Sequence, residues 1–250
     1  GSATIALRAM AFHASPCGWS ACVLAIGTIA STWSGIDPAI RPICPAGYQP
    51  LLFGRAVTAR CTPPDFGSEL QVLRFMQEGD VLVIDGQGDR FTALIGDVLG
   101  GYLVKIGAAG IVCEGAVRDV GTLAKFQTLP VFTRHVTPRG PKGATTKVVN
   151  DPVTIGGCSV RAGDLIIGDD DGLIAIPVAA LEEGIERCEE KLRLEEVWNK
   201  RVQSGESIEK IFNLKAKEKK HCAESLCNRK SIPNFCNQAG PTPLRFLPTF

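Results

Sequence analysis

The sequence lacks an excess of charge of either sign, because 27 lysines and arginines stand against 26 aspartates and glutamates. A net charge of +1 creates no field that would recruit nucleic acid or an acidic membrane surface, so neither partner is expected. A membrane-spanning run is lacking too: the apolar run at residues 21–30 has roughly ten residues, where about 20 are needed. That run predicts a buried first helix. A secretory signal core is the alternative, although no convincing basic start and cleavage pattern accompany it.

The ten cysteines lack a repeated spacing, which argues against a disulfide framework. Three of them fall inside apolar runs: Cys61, Cys113 and Cys158. Because a chain of 250 residues can bury a large core, we interpret them as buried free thiols, which favours a cytoplasmic location. Four residues near the C-terminus could supply zinc ligands: His221, Cys222, Cys227 and Cys236. Their spacing fits no standard zinc motif, so an ordinary tail is the favoured interpretation.

The composition divides the chain into three parts. Residues 1–34 contain the apolar run, and residues 35–214 join short apolar runs by glycine-rich turns, as expected for one domain. Residues 215–250 begin with the charged run Lys215–Lys220 and contain four prolines, which predicts a tail outside the core. A solvated helix end is the favoured interpretation of the charged run, with an RNA contact as the alternative.

Local patterns predict short strands and few helices. Strands are expected at residues 54–61, 81–84, 110–113, 129–132, 153–155, 158–160, 165–167 and 173–176. Helices are expected at residues 68–77, with Ser68 as cap, at 98–106, and at 177–203. Because the strands do not alternate strictly with helices, the pattern favours an α/β sandwich of short strands with outer helices over a doubly wound sheet.

The strongest functional pattern lies in residues 96–122. Gly96 opens a segment of helical apolar spacing, and Gly107 should end it, since glycine adopts the left-handed conformation without steric penalty. A short buried strand follows, and then come Arg118 and Asp119. Because chemistry collects at the carboxyl ends of strands in open α/β sheets, this stretch is the candidate site.

The side chains of this stretch favour a small anionic ligand. The N–H groups of Val98 and Leu99, at the start of the predicted helix, could hold an anion beside the guanidinium of Arg118. Asp97 and Asp119 offer hard oxygen ligands, and one aspartate together with water and substrate is enough for Mg²⁺. The alternative is that Arg118 and Asp119 form an ordinary solvated pair.

Two further motifs are weaker. The glycines at 86 and 88 follow a strand as in a dinucleotide-binding loop, but Phe91 occupies the place of the third glycine. The aspartates at 169–171 resemble a calcium loop only superficially, and a tight hairpin turn is the favoured interpretation.

Seven blocks in one order carry a more specific signal than any pair of residues. They are GRAVTARC (54–61), GDVLVIDGQGD (79–89), GDVLGG (96–101), GAAGIVCEGAVRDV (107–120), LPVF (129–132), PVTIGG (152–157) and AGDLIIGDDDG (162–172). They resemble the RraA-like family, which contains the regulator of ribonuclease E activity A and the 4-hydroxy-4-methyl-2-oxoglutarate aldolases. The resemblance spans roughly residues 35–214 and implies a β/β/α swivelling-type fold. Ser31-Thr32 departs from it, because the family carries an Asp-Ala pair near that place.

The resemblance implies an aldolase that requires Mg²⁺, Mn²⁺ or another divalent cation. Such an enzyme cleaves 4-hydroxy-4-methyl-2-oxoglutarate-type 2-oxo acids to pyruvate and also decarboxylates oxaloacetate. By motif position, the metal ligand would be Asp119, and Arg118 would contact the substrate and the developing enolate. After Gly96, the Val98 and Leu99 amides would hold the pyruvyl carboxylate, and Asp97 would act in proton transfer through an ordered water.

The resemblance also implies a homotrimer or hexamer with its sites at subunit interfaces. Glu195 or Glu196, on the C-terminal helix of a neighbouring subunit, would then approach the metal. The alternative is a non-catalytic regulator that binds a ribonuclease or helicase, but that branch lacks an aspartate in the position of Asp119. Methyl transfer to a quinone, a third label attached to the family, is disfavoured because no adenosylmethionine loop is evident.

Overall fold

A computed structural model describes residues 35–214, and the chain divides into two compact units between Val197 and Trp198. The expected first helix and the expected tail lie outside the described residues, as do the four candidate zinc ligands. Within residues 35–214, no helix combines the length and the apolar composition that a membrane span requires.

The first unit contains the strands and most of the helices. The described strands are β1 (Arg41–Pro42), β2 (Leu52–Arg60), β3 (Asp80–Asp85), β4 (Ala93–Ile95), β5 (Gly110–Val117), β6 (Val131–Val136), β7 (Val148–Val149), β8 (Val153–Ile155), β9 (Cys158–Val160), β10 (Leu165–Gly168) and β11 (Leu173–Ile176). The described helices are α1 (Gly67–Val72), α2 (Asp97–Lys105), α3 (Val120–Leu123), α4 (Leu181–Gln203) and α5 (Ile208–Ile211), with a 3-10 turn at Val178–Ala180 before α4.

Most of these strands form one mixed sheet in the order β1-β6-β5-β3-β2-β10-β11. Strands β2, β3, β5 and β6 are parallel, whereas β1, β10 and β11 run antiparallel to their neighbours. Beyond the end of β3, its place beside β5 is taken by β4, which is also parallel to β5. Strands β8 and β9 form a separate hairpin.

The sheet is buried on both faces. In β3, Leu82 and Ile84 pack into a core that α1, α2 and α3 cover, while Val81 and Val83 face a second core beneath the β8–β9 hairpin. This alternation follows from the two-residue period of a strand. The predicted sandwich of short strands with outer helices is confirmed.

The helix predicted at residues 68–77 was wrong in extent and in its cap. The hydroxyl of Ser68 accepts the N–H of Val148 in β7, so it does not cap α1. The N–H of Gln77 donates to the carboxylate of Asp80, which closes a turn instead of extending the helix. The partner of Ser68 lies 80 residues along the chain, so the local helical pattern cannot indicate it.

Other local predictions are confirmed. Gly107 adopts a left-handed φ of 72° just after α2. Gly156 and Gly157 form the turn of the β8–β9 hairpin with positive φ. In the β10–β11 turn, the Asp169 carboxylate accepts two backbone N–H groups of that same turn. Cys61 and Cys113 are buried free thiols, as predicted, and Cys158 is buried with its Sγ donating to the Gly35 carbonyl oxygen at 3.3 Å.

The second unit, in its described part, contains the end of α4 and all of α5. The rings of Trp198 and Phe212 lie 4.9 Å apart. Arg201 donates to Glu206 and to the carbonyl oxygens of Lys210 and Ile211. These bonds hold the turn after α4 to α5.

Candidate active site

Two parallel strands deliver the candidate residues to one place. Ile95, the last residue of β4, pairs with Val117, the last residue of β5. The Arg118 N–H donates to the Ile95 carbonyl oxygen at 2.8 Å. Gly96 and Arg118 therefore leave the carboxyl ends of neighbouring strands side by side. The sequence pattern predicted neither β4 nor the extension of β5 to Val117.

Gly96 lets the loop after β5 approach closely. A Cβ atom on residue 96 would lie 2.7 Å from Asp119 Oδ2 and 2.8 Å from Arg118 Nε. Its backbone is extended, so no unusual dihedral angle requires glycine here. The requirement is space, because any side chain would collide with the arginine and the aspartate.

Asp119 has a left-handed backbone, with φ of 56°. Its carbonyl oxygen accepts the N–H groups of Thr122 and Leu123, which begins α3. Few residue types tolerate this conformation, and aspartate is one of them. Its carboxylate faces α2, where Oδ2 accepts the Asp97 N–H at 3.3 Å.

The ion pair between Arg118 and Asp119 is loose. Arg118 Nε lies 3.5 Å from Asp119 Oδ2, and both side chains are about two-fifths exposed. Strong charge-assisted bonds are shorter, at about 2.7–2.9 Å. Within residues 35–214, no side chain or carbonyl accepts a hydrogen bond from Arg118 Nη1 or Nη2. The pair therefore keeps donor and acceptor capacity for a ligand.

An open cleft of about 380 Å³ lies against Arg118. It is lined by Phe66, Leu94, Gly96, Val98, Leu99, Arg118, Gly140 and Pro141. Gly140 approaches the arginine, since a Cβ atom there would lie 3.3 Å from Arg118 Nη1. The volume suits a small ligand.

The start of α2 is partly engaged by its own side chain. The Val98 N–H donates to Asp97 Oδ1 at 2.8 Å, and both residues are exposed. A ligand carboxylate bound by the Val98 amide would therefore replace the carboxylate of Asp97. Leu99 lines the same cleft one residue later in the helix.

Glu195 and Glu196 lie on α4, and neither lines the cleft in the described part of the chain. Glu195 Oε1 lies 3.8 Å from Nζ of Lys191, one helical turn earlier. A role for either glutamate requires a neighbouring subunit and stays a prediction.

The donor set at the cleft fits a hard divalent ion. No cluster of three or more His, Cys, Asp or Glu side chains suited to a metal occurs within residues 35–214, which argues against a closed structural metal centre there. Asp97 and Asp119 are nevertheless exposed carboxylates next in the chain to Val98 and Arg118, which line the cleft, and no thiol or imidazole lines the described cleft. Mg²⁺ commonly binds through one or two carboxylates and keeps several waters. Asp119 could hold such an ion with water and ligand as its other partners.

The sequence pattern missed one side of the cleft. Phe66 and Leu94 line it from separate segments, and Gly140 and Pro141 come from a stretch that we interpreted only as a loop. No spacing signal marks these residues, because they become neighbours only through the fold.

Solved structures support the fold. A protein from Pseudomonas syringae superposes with a TM-score of 0.63 over 77% of this chain and 91% of its own, at 22% identity. Streptomyces coelicolor RraAS2, described as an unusual member of the RNase ES inhibitor RraA protein family, superposes with a TM-score of 0.59 at 27% identity. That match covers 67% of this chain and 85% of the other.

Curated relatives and a family model give the same assignment. A Halalkalibacterium halodurans protein named "Putative 4-hydroxy-4-methyl-2-oxoglutarate aldolase" is 34% identical over 166 residues, which is 65% of this chain and 77% of that protein. An uncharacterized protein of Methanocaldococcus jannaschii is 30% identical over 177 residues, covering 70% of this chain and 83% of its own. The family model described as "RraA-like: Aldolase/RraA" matches residues 28–175, more than half of the chain. The chain therefore belongs to the RraA-like family.

Proposed function

We propose that this protein is a divalent-metal-dependent aldolase that cleaves 4-hydroxy-4-methyl-2-oxoglutarate-type 2-oxo acids to pyruvate and also decarboxylates oxaloacetate. The observation that carries the proposal is the loose pair of Arg118 and Asp119, set against Gly96 in an open cleft. Aldolase names among the relatives support a carbon–carbon lyase.

The start of α2 and Arg118 bind and orient the pyruvyl half of the substrate. The substrate carboxylate lies at the Val98 and Leu99 amides, where the helix dipole favours negative charge. Arg118 donates to the substrate from the nitrogens that the fold leaves available, and in the transition state it stabilises the charge that develops on the keto oxygen. These interactions strengthen as the charge grows, which is the condition for catalysis.

Cleavage moves two protons, one away from the C4 hydroxyl and one onto C3. The bond between C3 and C4 breaks, its electron pair passes to the pyruvate fragment that contains C1 to C3, and the C4 hydroxyl loses its proton as it becomes a carbonyl. The pyruvate fragment then takes up a proton at C3. Asp97 moves these protons through an ordered water, because its exposed carboxylate accepts the N–H of Val98, which lines the cleft. Asp119 would hold Mg²⁺ or Mn²⁺, which would supply Lewis-acid stabilisation of the developing charge.

The proposal includes an assembly of three or six chains with the sites at subunit contacts. Glu195 or Glu196 on α4 would then reach the metal of a neighbouring subunit. Light scattering measures the assembly, and a monomer that is fully active would contradict this part of the proposal.

Oxaloacetate turnover tests the chemistry. Pyruvate release should require Mg²⁺ or Mn²⁺ and should stop when a chelator is added. Asp119→Asn should lower kcat by about a hundred- to a thousandfold, because it removes the anionic metal ligand. The control is Asp170→Asn in the β10–β11 turn, which should leave turnover unchanged. A wild-type protein without turnover, or an unaffected Asp119→Asn variant, would contradict the proposal.

A second candidate is a non-catalytic regulator that binds a ribonuclease or helicase. It is favoured by the structural match to the Thermus RNA-processing inhibitor RraA, at 25% identity and a TM-score of 0.53. Tight binding of a purified ribonuclease by a protein that does not turn over oxaloacetate would select this candidate.

A further inference from the structure

One side of the cleft is a loop between β6 and β7 that we call the wall segment, residues 139–146. Its members Gly140 and Pro141 line the cleft. A Cβ atom on Gly140 would lie 3.3 Å from Arg118 Nη1, so the backbone of the wall segment lies against the guanidinium. A small displacement of the segment would change the space in which Arg118 meets a ligand.

Backbone hydrogen bonds hold the wall segment at its start and in its middle. The Arg139 carbonyl oxygen accepts the N–H of Ala93 in β4 at 2.7 Å. Further along, the Lys142 N–H donates to the Pro64 carbonyl oxygen at 2.7 Å. The Phe66 N–H donates to the Gly143 carbonyl oxygen at 3.3 Å. These two hydrogen bonds join the wall segment to residues 64–67, which lie just before and at the start of α1.

Asp65 provides the densest of these contacts. Its Oδ2 accepts the N–H and the hydroxyl of Thr145 at 2.7 and 2.8 Å. Its Oδ1 accepts the N–H of Thr146 at 3.1 Å, the hydroxyl of Thr146, and the N–H of Gly67 at 2.9 Å. The Thr146 hydroxyl, followed by the N–H groups of Thr145 and Gly67, holds the pKa of Asp65 well below its usual range. The carboxylate is therefore anionic at neutral pH, when all of these groups can donate to it.

The joint between the two segments is also closely packed. A Cβ atom on Gly67 would lie 2.5 Å from the Thr146 carbonyl oxygen and 2.6 Å from the Ala144 carbonyl carbon. Phe66, between Asp65 and Gly67, itself lines the cleft. The same joint therefore places residues on two sides of the cleft.

We propose that Asp65 is a positioning residue for substrate binding: by holding Thr145 and Thr146, it keeps Gly140 and Pro141 against Arg118. This inference rests on the proposed function, since it takes the ligand of Arg118 to be a 2-oxo acid. Asp65 does not line the cleft in the described part of the chain, so it acts through the wall segment.

Asp65→Asn tests the inference, because the amide nitrogen of asparagine cannot accept hydrogen bonds. The KM for oxaloacetate should rise about tenfold while kcat stays within about twofold. Titration calorimetry with oxalate in Mg²⁺ should show a Kd that rises by the same factor. Asp169→Asn is the matched control, because Asp169 also accepts two backbone N–H groups in a turn but does not line the cleft. It should change neither quantity.

Thr146 offers a second, milder pair of variants. Thr146→Val keeps the shape of the side chain and removes its hydroxyl bond to Asp65, whereas Thr146→Ser keeps that bond. KM and the oxalate Kd should rise about threefold in the valine variant and recover in the serine variant. If Asp65→Asn does not fold, this pair decides the question.

Hydrogen exchange separates the possible outcomes. The Thr145 and Thr146 amides should exchange faster in Asp65→Asn than in the wild type. Faster exchange with unchanged KM and unchanged oxalate Kd would overturn the positioning role. Loss of kcat at constant KM would overturn it too. A wild type that binds oxalate without turning over oxaloacetate would instead contradict the proposed function, and the oxalate Kd would still measure the effect of Asp65.

Discussion

Two arginine–carboxylate pairs, one that joins β5 to β6 and one in the loop after β5, differ in almost every respect. Glu114, within β5, is bound by Arg134 through Nε and through Nη2 at 3.2 Å. Arg134 Nη1 also donates to Asp37 at 2.8 Å, and the Arg134 side chain is 18% exposed. Arg118, after the strand, has one contact of 3.5 Å to Asp119 and a side chain that is 41% exposed.

The difference separates a tightly held pair at one point of the strand from a loosely held pair just after it, which is the pair that the proposed function uses. Glu114 also accepts the N–H of Gly156, so its pair with Arg134 ties β5 and β6 to the β8–β9 hairpin. The bond to Glu114 raises the pKa of Arg134. Removing one partner of such a pair leaves a buried charge, which is costly. The pair after β5 is held loosely, and its free bonding capacity is what a ligand can use.

The same substitution at the two arginines should separate these roles, with the largest effect at Arg118. Arg118→Met should lower kcat/KM for oxaloacetate about a thousandfold, because it removes the donor to the developing negative charge. The free energy of unfolding in urea should change by less than about 0.5 kcal/mol. Equal losses of activity and stability in this variant would remove the distinction between the pairs.

Arg134→Met should do the reverse. It should lower the free energy of unfolding by about 3 kcal/mol, because Glu114 and Asp37 lose their common partner. The folded fraction should keep kcat within about threefold of the wild type. Arg187→Met is the control: its pair with Glu183 on α4 is exposed, and we expect a loss below about 0.5 kcal/mol. If Arg134→Met lost as little unfolding free energy as Arg187→Met, burial would not distinguish the pair of Arg134 and Glu114 from the exposed pair of Arg187 and Glu183.

Gly96→Ala should disturb only the loose pair. The new Cβ would collide with the ends of Asp119 and Arg118, which are flexible and can move aside. We therefore expect a folded protein with about a hundredfold lower kcat/KM. Gly101→Ala, in the same helix, should keep full activity, since its Cβ would lie 4.0 Å from the Phe126 ring. A fully active Gly96→Ala variant would argue that the close approach has no function.

Glu69 extends the comparison to a buried carboxyl without a hydrogen-bond partner in the described chain. Its substitution should have the smallest effect of this series. Both of its oxygens are buried with no hydrogen-bond partner in the described chain, and burial raises the pKa well above 4.5. Glu69→Met should therefore raise the free energy of unfolding at neutral pH by about 2 kcal/mol.

The raised pKa of Glu69 also predicts how the stability of the wild type changes with pH. Between 4.5, the pKa of Glu69 in the unfolded chain, and its higher pKa in the folded protein, only the folded protein keeps the proton. The contribution of this bound proton to stability is therefore complete below pH 4.5 and is lost as the pH rises through the folded pKa. Urea unfolding at several pH values should show the gap between Glu69→Met and the wild type widening with pH. Glu69→Gln, which cannot titrate, should remove the pH dependence as well. A gap that is constant with pH would contradict the assignment of a neutral Glu69.

Local physics explains which parts of the fold could be predicted. The run at β3 is apolar at consecutive positions because both faces of the strand are covered, and Gly107 and the pair at 156–157 mark backbone turns that few other residues allow. Strand β4 escaped prediction because it is short and is defined by its pairing with β5. The helix at 68–77 was wrong because Ser68 bonds to a residue far along the chain.

The candidate site was predicted in part for the same reason. The residues of one continuous stretch, Gly96 to Asp119, could be recognised from their order and chemistry. The opposite side of the cleft could not, because Phe66 and Gly140 come from segments that carry no local signal for meeting Arg118. Glu114 and Arg134 were missed as a pair because each, in isolation, is an ordinary charged residue.

By itself, the sequence determined where the chain turns, which runs are buried, and which residue types stand after β5. Only the tertiary structure decided that Arg134 is fully engaged while Arg118 is available to a ligand, and that Asp65 holds the wall of the cleft. The physical reason is that hydrogen bonds between distant segments depend on sheet order and register. Those are properties of the whole fold, and no local pattern of residues encodes them.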